Sequence, residues 1–356
     1  MAAVLILLVV ELVAGWPALT DALHQVRTPH LGWLALVVLA ELAAMSAYAH
    51  MQRRLLRSAG VRTSYRDNAR LVYAAHSLNE TLPGGPAFST QFNFRHLRRL
   101  GAGPAVASWV IALSGILSTA ALAVITTGGA LAAGGATDWP RLAGLLAAAG
   151  LIAVGVRQLT AHPRAAEALI RRPLAAVNRL RRRPQDAGRE RITGYLSQLR
   201  AARLSPADGI VVAGSAVLNW VLDAAALWLC FYAVGGRPPS ATVVLLAFGA
   251  AMAAGSVTIV PGGLGIVDGA LVLGLAMAGL ALPTVVAAVV LYRIVSFGFI
   301  IGLGWVSWFR LRLCPDQPVA ASSPRPSTAR SGPRTSISRL AVCPQRAALP
   351  TYVGTA

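Results

Sequence analysis

The chain carries one motif twice. Leu82-Pro83-Gly84-Gly85 recurs 178 residues later as Val260-Pro261-Gly262-Gly263, and each copy interrupts a hydrophobic stretch. A helix breaker in an apolar run frees backbone N–H and C=O groups that lipid cannot satisfy. Such a break survives in a membrane only where protein or a water-filled cavity takes those groups up. Each copy precedes a second apolar stretch that opens on a proline, Pro104 and Pro283, 179 residues apart. The matched offsets describe a duplicated unit. In transporters built from inverted repeats, paired Gly/Pro-interrupted segments in corresponding halves point to the binding site near the bilayer midplane. Function is expected there.

Composition sets the class. The chain is 56% hydrophobic with mean hydropathy +0.61, and only 13% of its residues are charged, about half the share usual in a soluble domain. Stretches 31–49, 105–126 and 283–308 are each long enough to cross the hydrocarbon core. The expected fold is an all-α polytopic integral membrane protein with about six to eight spans and an inverted repeat holding two broken or re-entrant helix pairs. Its divisions are an N-terminal membrane helix and short external loop over 1–30, a first membrane repeat over 31–160 and a basic cytoplasmic linker over 161–207. A second repeat over 208–309 and a disordered Pro/Ser/Thr/Arg-rich cytoplasmic tail over 310–356 complete it. The apolar segment 1–19 lacks a basic n-region and reads as a membrane helix rather than a signal peptide. Cys230, Cys314 and Cys343 have neither disulfide nor metal spacing.

All 32 basic residues are arginine and the net charge is +19. The arginines cluster between apolar segments, which is the positive-inside pattern and not that of a nucleic-acid-binding surface. Arg53, Arg54, Arg57, Arg62, Arg66 and Arg70 stand against the single acid Asp67 in 52–70, so that loop is expected in the cytoplasm, as are Arg95, Arg98 and Arg99. Between them the first Pro-Gly-Gly must enter and return as a hairpin. Spans over 105–126 and 142–159 lead to the arginine-rich segment 157–204, part of which can lie on anionic headgroups. A span over 210–234 then brings the second motif, within 241–281, to the membrane from outside. The expected location is a bacterial plasma membrane with both termini cytoplasmic.

Ionisable residues inside spans are functional candidates by default. His76 and Glu80, four apart before the first Pro-Gly-Gly, share a helix face with Asn79 beside them. They can hold a headgroup, relay a proton, or only stabilise the hairpin. Asp268 and Arg293 are expected to pair, either locking two helices or serving an anionic group. Glu41 and Asp223 are single acids on apolar spans, expected to be packed or protonated, and Glu11 is the weakest candidate. Pro83 and Pro261 set the breaks, while Gly84, Gly85, Gly262, Gly263 and Gly265 can take positive φ and expose N–H groups suited to a phosphate or carboxylate. No metal site, cofactor or catalytic residue is assigned.

Val260-Pro261-Gly262-Gly263-Leu264-Gly265-Ile266-Val267-Asp268, followed by Leu291-Tyr292-Arg293, resembles the signature of the lysylphosphatidylglycerol synthase transmembrane (flippase-like) family, UPF0104. The segment from Ala75 to Pro86 is similar to its actinobacterial branch. The resemblance covers about 31–308 and implies lipid movement between leaflets by the membrane region, which full-length members fuse to an aminoacyltransferase. This chain is expected to differ in lacking such a domain; it has Asp268 where the family usually has glutamate, and Ser114 stands where the second repeat has Arg293.

Three functions follow as expectations. The first is a flippase-like transporter of a lipid or lipid-linked anionic or zwitterionic substrate. The second is an enzyme acting on lipid headgroups through His76 and Glu80. The third is a non-catalytic membrane partner of a cytoplasmic lipid-biosynthesis enzyme.

Overall fold

The structure, a computed structural model, describes residues 30–132, 194, 204–256 and 260–313. Within them the chain is all-α: α1 (Leu31–Ser58), α2 (Tyr65–Thr81), α3 (Gly85–Arg99), α4 (Pro104–Ala132), α5 (Pro206–Ala233), α6 (Ala241–Ser256), α7 (Ile266–Met277), α8 (Leu282–Arg293) and α9 (Ile300–Leu313). A three-residue 3₁₀ turn, Pro261–Gly263, separates α6 from α7. A π-helical segment, Ile294–Phe299, joins α8 to α9 without breaking the rod. Among the described residues α1, α4, α5 and the continuous Leu282–Leu313 rod are long and apolar enough to cross a membrane. The protein is a polytopic membrane protein. Expected elements at 1–29, 142–159, most of the 161–207 linker and the tail beyond 313 lie outside the described residues, as does Glu11.

Local chemistry starts these helices. Ser64 caps α2 and Ser205 caps α5, each accepting the N–H of the acid three residues on, Asp67 or Asp208, at 3.1 Å. Prolines open α4, α5 and α8 in the first turn, where their missing N–H is no loss.

The packing repeats itself about a two-fold relation. Helices α1 and α5 form the most extensive pair. They run antiparallel: the His30 N–H donates to Ala233 O at 3.0 Å at one end, and Arg54 pairs with Asp208 at 3.1 Å at the other. Each of them precedes a hairpin, α2–α3 in the first half and α6–α7 in the second, whose arms pack on each other. The first arm of each hairpin then crosses to the other half: α2 packs on α9, and α6 packs on α4. Equivalent helices that are antiparallel place the axis relating the halves across the helices, which is the inverted arrangement the doubled motif predicts. With 16 and 12 residues, α6 and α7 are individually too short to span, so the 241–281 region is a helical hairpin.

Close approach makes these crossings possible. Ser77 Oγ donates to Ile301 O at 3.0 Å, and a Cβ on Gly304 would strike the Ser77 side chain and the Tyr73 carbonyl. Small residues at such contacts let membrane helices meet along their backbones. Gly304→Ala is expected to cost about 1–3 kcal/mol by overpacking. Gly302→Ala, facing open space, should stay within about 0.5 kcal/mol. Thermal unfolding in detergent measures both, and equal effects would refute the contact.

Candidate functional site

The two Pro-Gly-Gly turns follow the same path. Leu82 and Val260 are extended, as a residue before proline must be, and after each proline a glycine turns left-handed: Gly84 at φ 71° and Gly262 at φ 64°. L side chains are strained there, so glycine is required. Gly84 caps α3, and Gly85 sits so tightly that a Cβ would strike the Asn79 backbone. At Gly262 a Cβ would meet the Phe297 ring and lie 3.2 Å from Glu80 O. The second turn therefore rests against the end of α2. Pro261, Gly262 and Gly263 line one cavity of about 530 Å³ with Gly84, Gly85 and Glu80, while Pro83 lies exposed beside it.

Asn79, Glu80 and Arg293 also line a second cavity of about 370 Å³ at the heart of the bundle. His76 faces this one, so the four-residue spacing puts His76 and Glu80 on a common wall. Glu80 is held by its neighbour, with Asn79 Nδ2 donating to its Oε1 at 2.7 Å.

Arg293, on the last turn of α8, forms an ion pair with Asp268 through its Nε. Both side chains are largely sheltered, 18% and 28% exposed. The other oxygen of Asp268 accepts the Gly265 N–H at 3.1 Å. The positive end of α7, a possible anion cradle on sequence grounds, is thus met by the protein's own carboxylate. Arg293 has capacity left over: its Nη2 is buried with no hydrogen-bond partner among the described residues. Orphaned buried donors are rare in folded proteins and costly unless a ligand or water meets them.

The structure adds two residues to this site. Glu41 of α1 and Asp223 of α5 both line the central cavity. Tyr292 donates to Asp223 Oδ1 at 2.7 Å, whereas Glu41, 4% exposed, has an oxygen without a partner. Glu41 and Asp223 lie 182 residues apart, one helical turn off the register of the doubled motif, an offset that becomes a signal only once α1 and α5 are known to pair. The π-helical segment has no such signal. It follows Arg293 directly and sends Ser296 and Phe297 to the cavity wall, in keeping with the frequent placement of π-bulges at functional sites.

Four carboxyl groups, Glu41, Glu80, Asp223 and Asp268, thus gather around one arginine and one histidine. Isolated charges in this setting are expensive, so the arrangement suits a ligand that carries charge of its own. Among the described residues no group of three His, Cys, Asp or Glu side chains converges as metal ligands. The ion pair gives a direct test: in a cycle of Asp268→Asn and Arg293→Gln, which keeps an acceptor for Gly265 N, a coupling energy of about 1–3 kcal/mol is expected in thermal unfolding. Additive losses would show that the residues are not partners.

Comparison with known proteins agrees with this architecture. A UPF0104 membrane protein of Methanothermobacter thermautotrophicus is 37% identical over 78 residues, a match covering 22% of this chain and 22% of that protein's length. The family model for the lysylphosphatidylglycerol synthase TM region matches residues 1–304, and it describes a membrane region rather than an aminoacyltransferase domain. That match takes in both hairpins and every residue of the central cavity, and the chain belongs to this family of lysylphosphatidylglycerol synthase transmembrane regions.

Proposed function

We propose that the protein is a flippase-like transporter in the plasma membrane that carries a lipid or lipid-linked molecule between leaflets. The headgroup, anionic or zwitterionic, enters the central cavity while the tails stay in lipid. The observation that carries this reading is Arg293, which lines a cavity bounded by both halves of the repeat and whose buried Nη2 has no hydrogen-bond partner among the described residues. A guanidinium with one edge on Asp268 and the other free offers a phosphate or carboxylate a charge-assisted hydrogen bond without leaving its structural partner. The carboxyl groups opposite would meet a cationic part of a zwitterionic headgroup. Two hairpin tips meeting at one site supply the geometry for alternating access, because either hairpin can move while the other holds the site.

Translocation of headgroup-labelled phospholipid in reconstituted vesicles tests this. Arg293→Gln is expected to slow it about tenfold or more, the loss of one hydrogen bond to a charged group. Gly262→Val should abolish it, because valine resists the left-handed conformation and fills the space against Phe297 and Glu80. Gly302→Ala serves as the control. Wild-type rates in Arg293→Gln would remove the arginine from the mechanism. A wild-type protein that moves no phospholipid tested would overturn the reading.

A further inference from the structure

A second site lies away from the central cavity. Helices α3 and α9 each pack on α2 and leave between them a groove of about 660 Å³. Its direction is fixed by α2 and α9, which run antiparallel, with Ile301 against Ser77 and Gly304 against Tyr73. The C-terminal ends of α3 and α9 therefore both lie toward the start of α2, and there the groove carries Arg95, Arg99 and Arg312. Toward the other end of α2 its walls are apolar, with Leu78, Leu82 and Phe88, and Trp305 and Trp308 lie along α9 between the two regions.

Among the described residues no carboxylate offsets the charge on this groove. Arg54, Arg70 and Arg293 each have a carboxylate partner, Asp208, Asp67 and Asp268. No carboxylate lines the groove, and among the described residues none pairs with Arg95, Arg99 or Arg312. Arg95 and Arg99 are one turn apart and so project from the same face of α3. Arg312 lies over the Trp308 ring, 4.3 Å from its centroid. Stacking fixes the plane of the guanidinium and leaves its N–H edges available to a planar or phosphate partner. Tryptophan at such a position is typical of the membrane–water boundary.

We propose that this groove is a binding site for an anionic phospholipid, with the phosphate on Arg95, Arg99 and Arg312 and an acyl chain along Leu82 and Phe88. Basic pockets between membrane helices suit such headgroups. The long apolar wall continuing from the arginines is what selects a lipid over a free anion. A lipid seated here bridges α3 to α9, which both pack on α2. It is a resident ligand, separate from the cargo of the central cavity, and its binding does not depend on transport.

The test is thermal unfolding and native mass spectrometry of the full chain in detergent, titrated with dioleoylphosphatidylglycerol. Dioleoylphosphatidylcholine and glycerol 3-phosphate form the comparison arms. The anionic lipid is expected to raise the melting temperature, with neither comparison ligand doing so. Combined Arg95→Ala, Arg99→Ala and Arg312→Ala should weaken it about tenfold or more. Arg57→Ala, Arg62→Ala and Arg66→Ala, equal in charge and exposed, should leave it unchanged. Equal loss in both triple variants, equal stabilisation by phosphatidylcholine, or a full effect of glycerol 3-phosphate would each overturn the proposal. If the first triple variant does not fold, Arg312→Glu alone decides: reduced binding of the anionic lipid supports the site, and unchanged binding refutes it.

Discussion

A chain that interrupts helices inside hydrocarbon has to give the freed N–H and C=O groups somewhere to go. Here each break closes on itself first: the Gly85 N–H returns to Leu82 O at 2.8 Å and the Gly263 N–H to Val260 O at 3.0 Å. Side chains take the next groups, with Asp268 accepting from Gly265 at the start of α7. The second turn also lies against the end of α2. The two breaks line one cavity, the first with Pro83 and Gly84 left exposed. The rest of the fold follows from keeping them together, with antiparallel α1 and α5 as the frame and the crossings of α2 on α9 and α6 on α4 as the braces.

The same arrangement accounts for the charges. Asp268, fixed by its capping bond, sets the position of Arg293, and Arg293 lies where the rod widens into π-helix. Glu41 and Asp223 approach from equivalent helices and complete a polar centre in an otherwise apolar bundle. A purely structural ion pair would consume the arginine. This one leaves Nη2 buried with no hydrogen-bond partner among the described residues, on an arginine that lines the cavity.

Much of this was legible in the sequence, for physical reasons. A Pro-Gly-Gly inside an apolar run is rarely tolerated in lipid, so its repetition at a fixed offset marked the duplication and the two turns that line one cavity. The pairing of Asp268 with Arg293 followed from the cost of lone charges, and the shared wall of His76 and Glu80 from helical spacing. Glu41 and Asp223 were harder, because a single acid on an apolar span gives no hint of its neighbour until the span's partner is known. Their convergence depends on α1 lying against α5, a contact between residues 154 apart at its Arg54–Asp208 end. The π-helical segment was not legible at all: Ile294 to Phe299 reads as ordinary span, and widening there depends on tertiary packing. The groove between α3 and α9 was hidden for the same reason, since Arg95, Arg99 and Arg312 look like ordinary flanking arginines until the helices are assembled.

The central claim is that the two turns meet. It is tested most directly by cross-linking in native membranes, with Leu82→Cys and Val260→Cys introduced together after the native Cys230, Cys314 and Cys343 are changed to serine. Both positions line the cavity between the turns, so a short bifunctional thiol reagent is predicted to join them within one chain. Leu82→Cys combined with Leu273→Cys, the latter 62% exposed on the outer face of α7, should give no link. Failure of the 82/260 pair to cross-link while both thiols react singly, or equal linking of the control pair, would contradict the account.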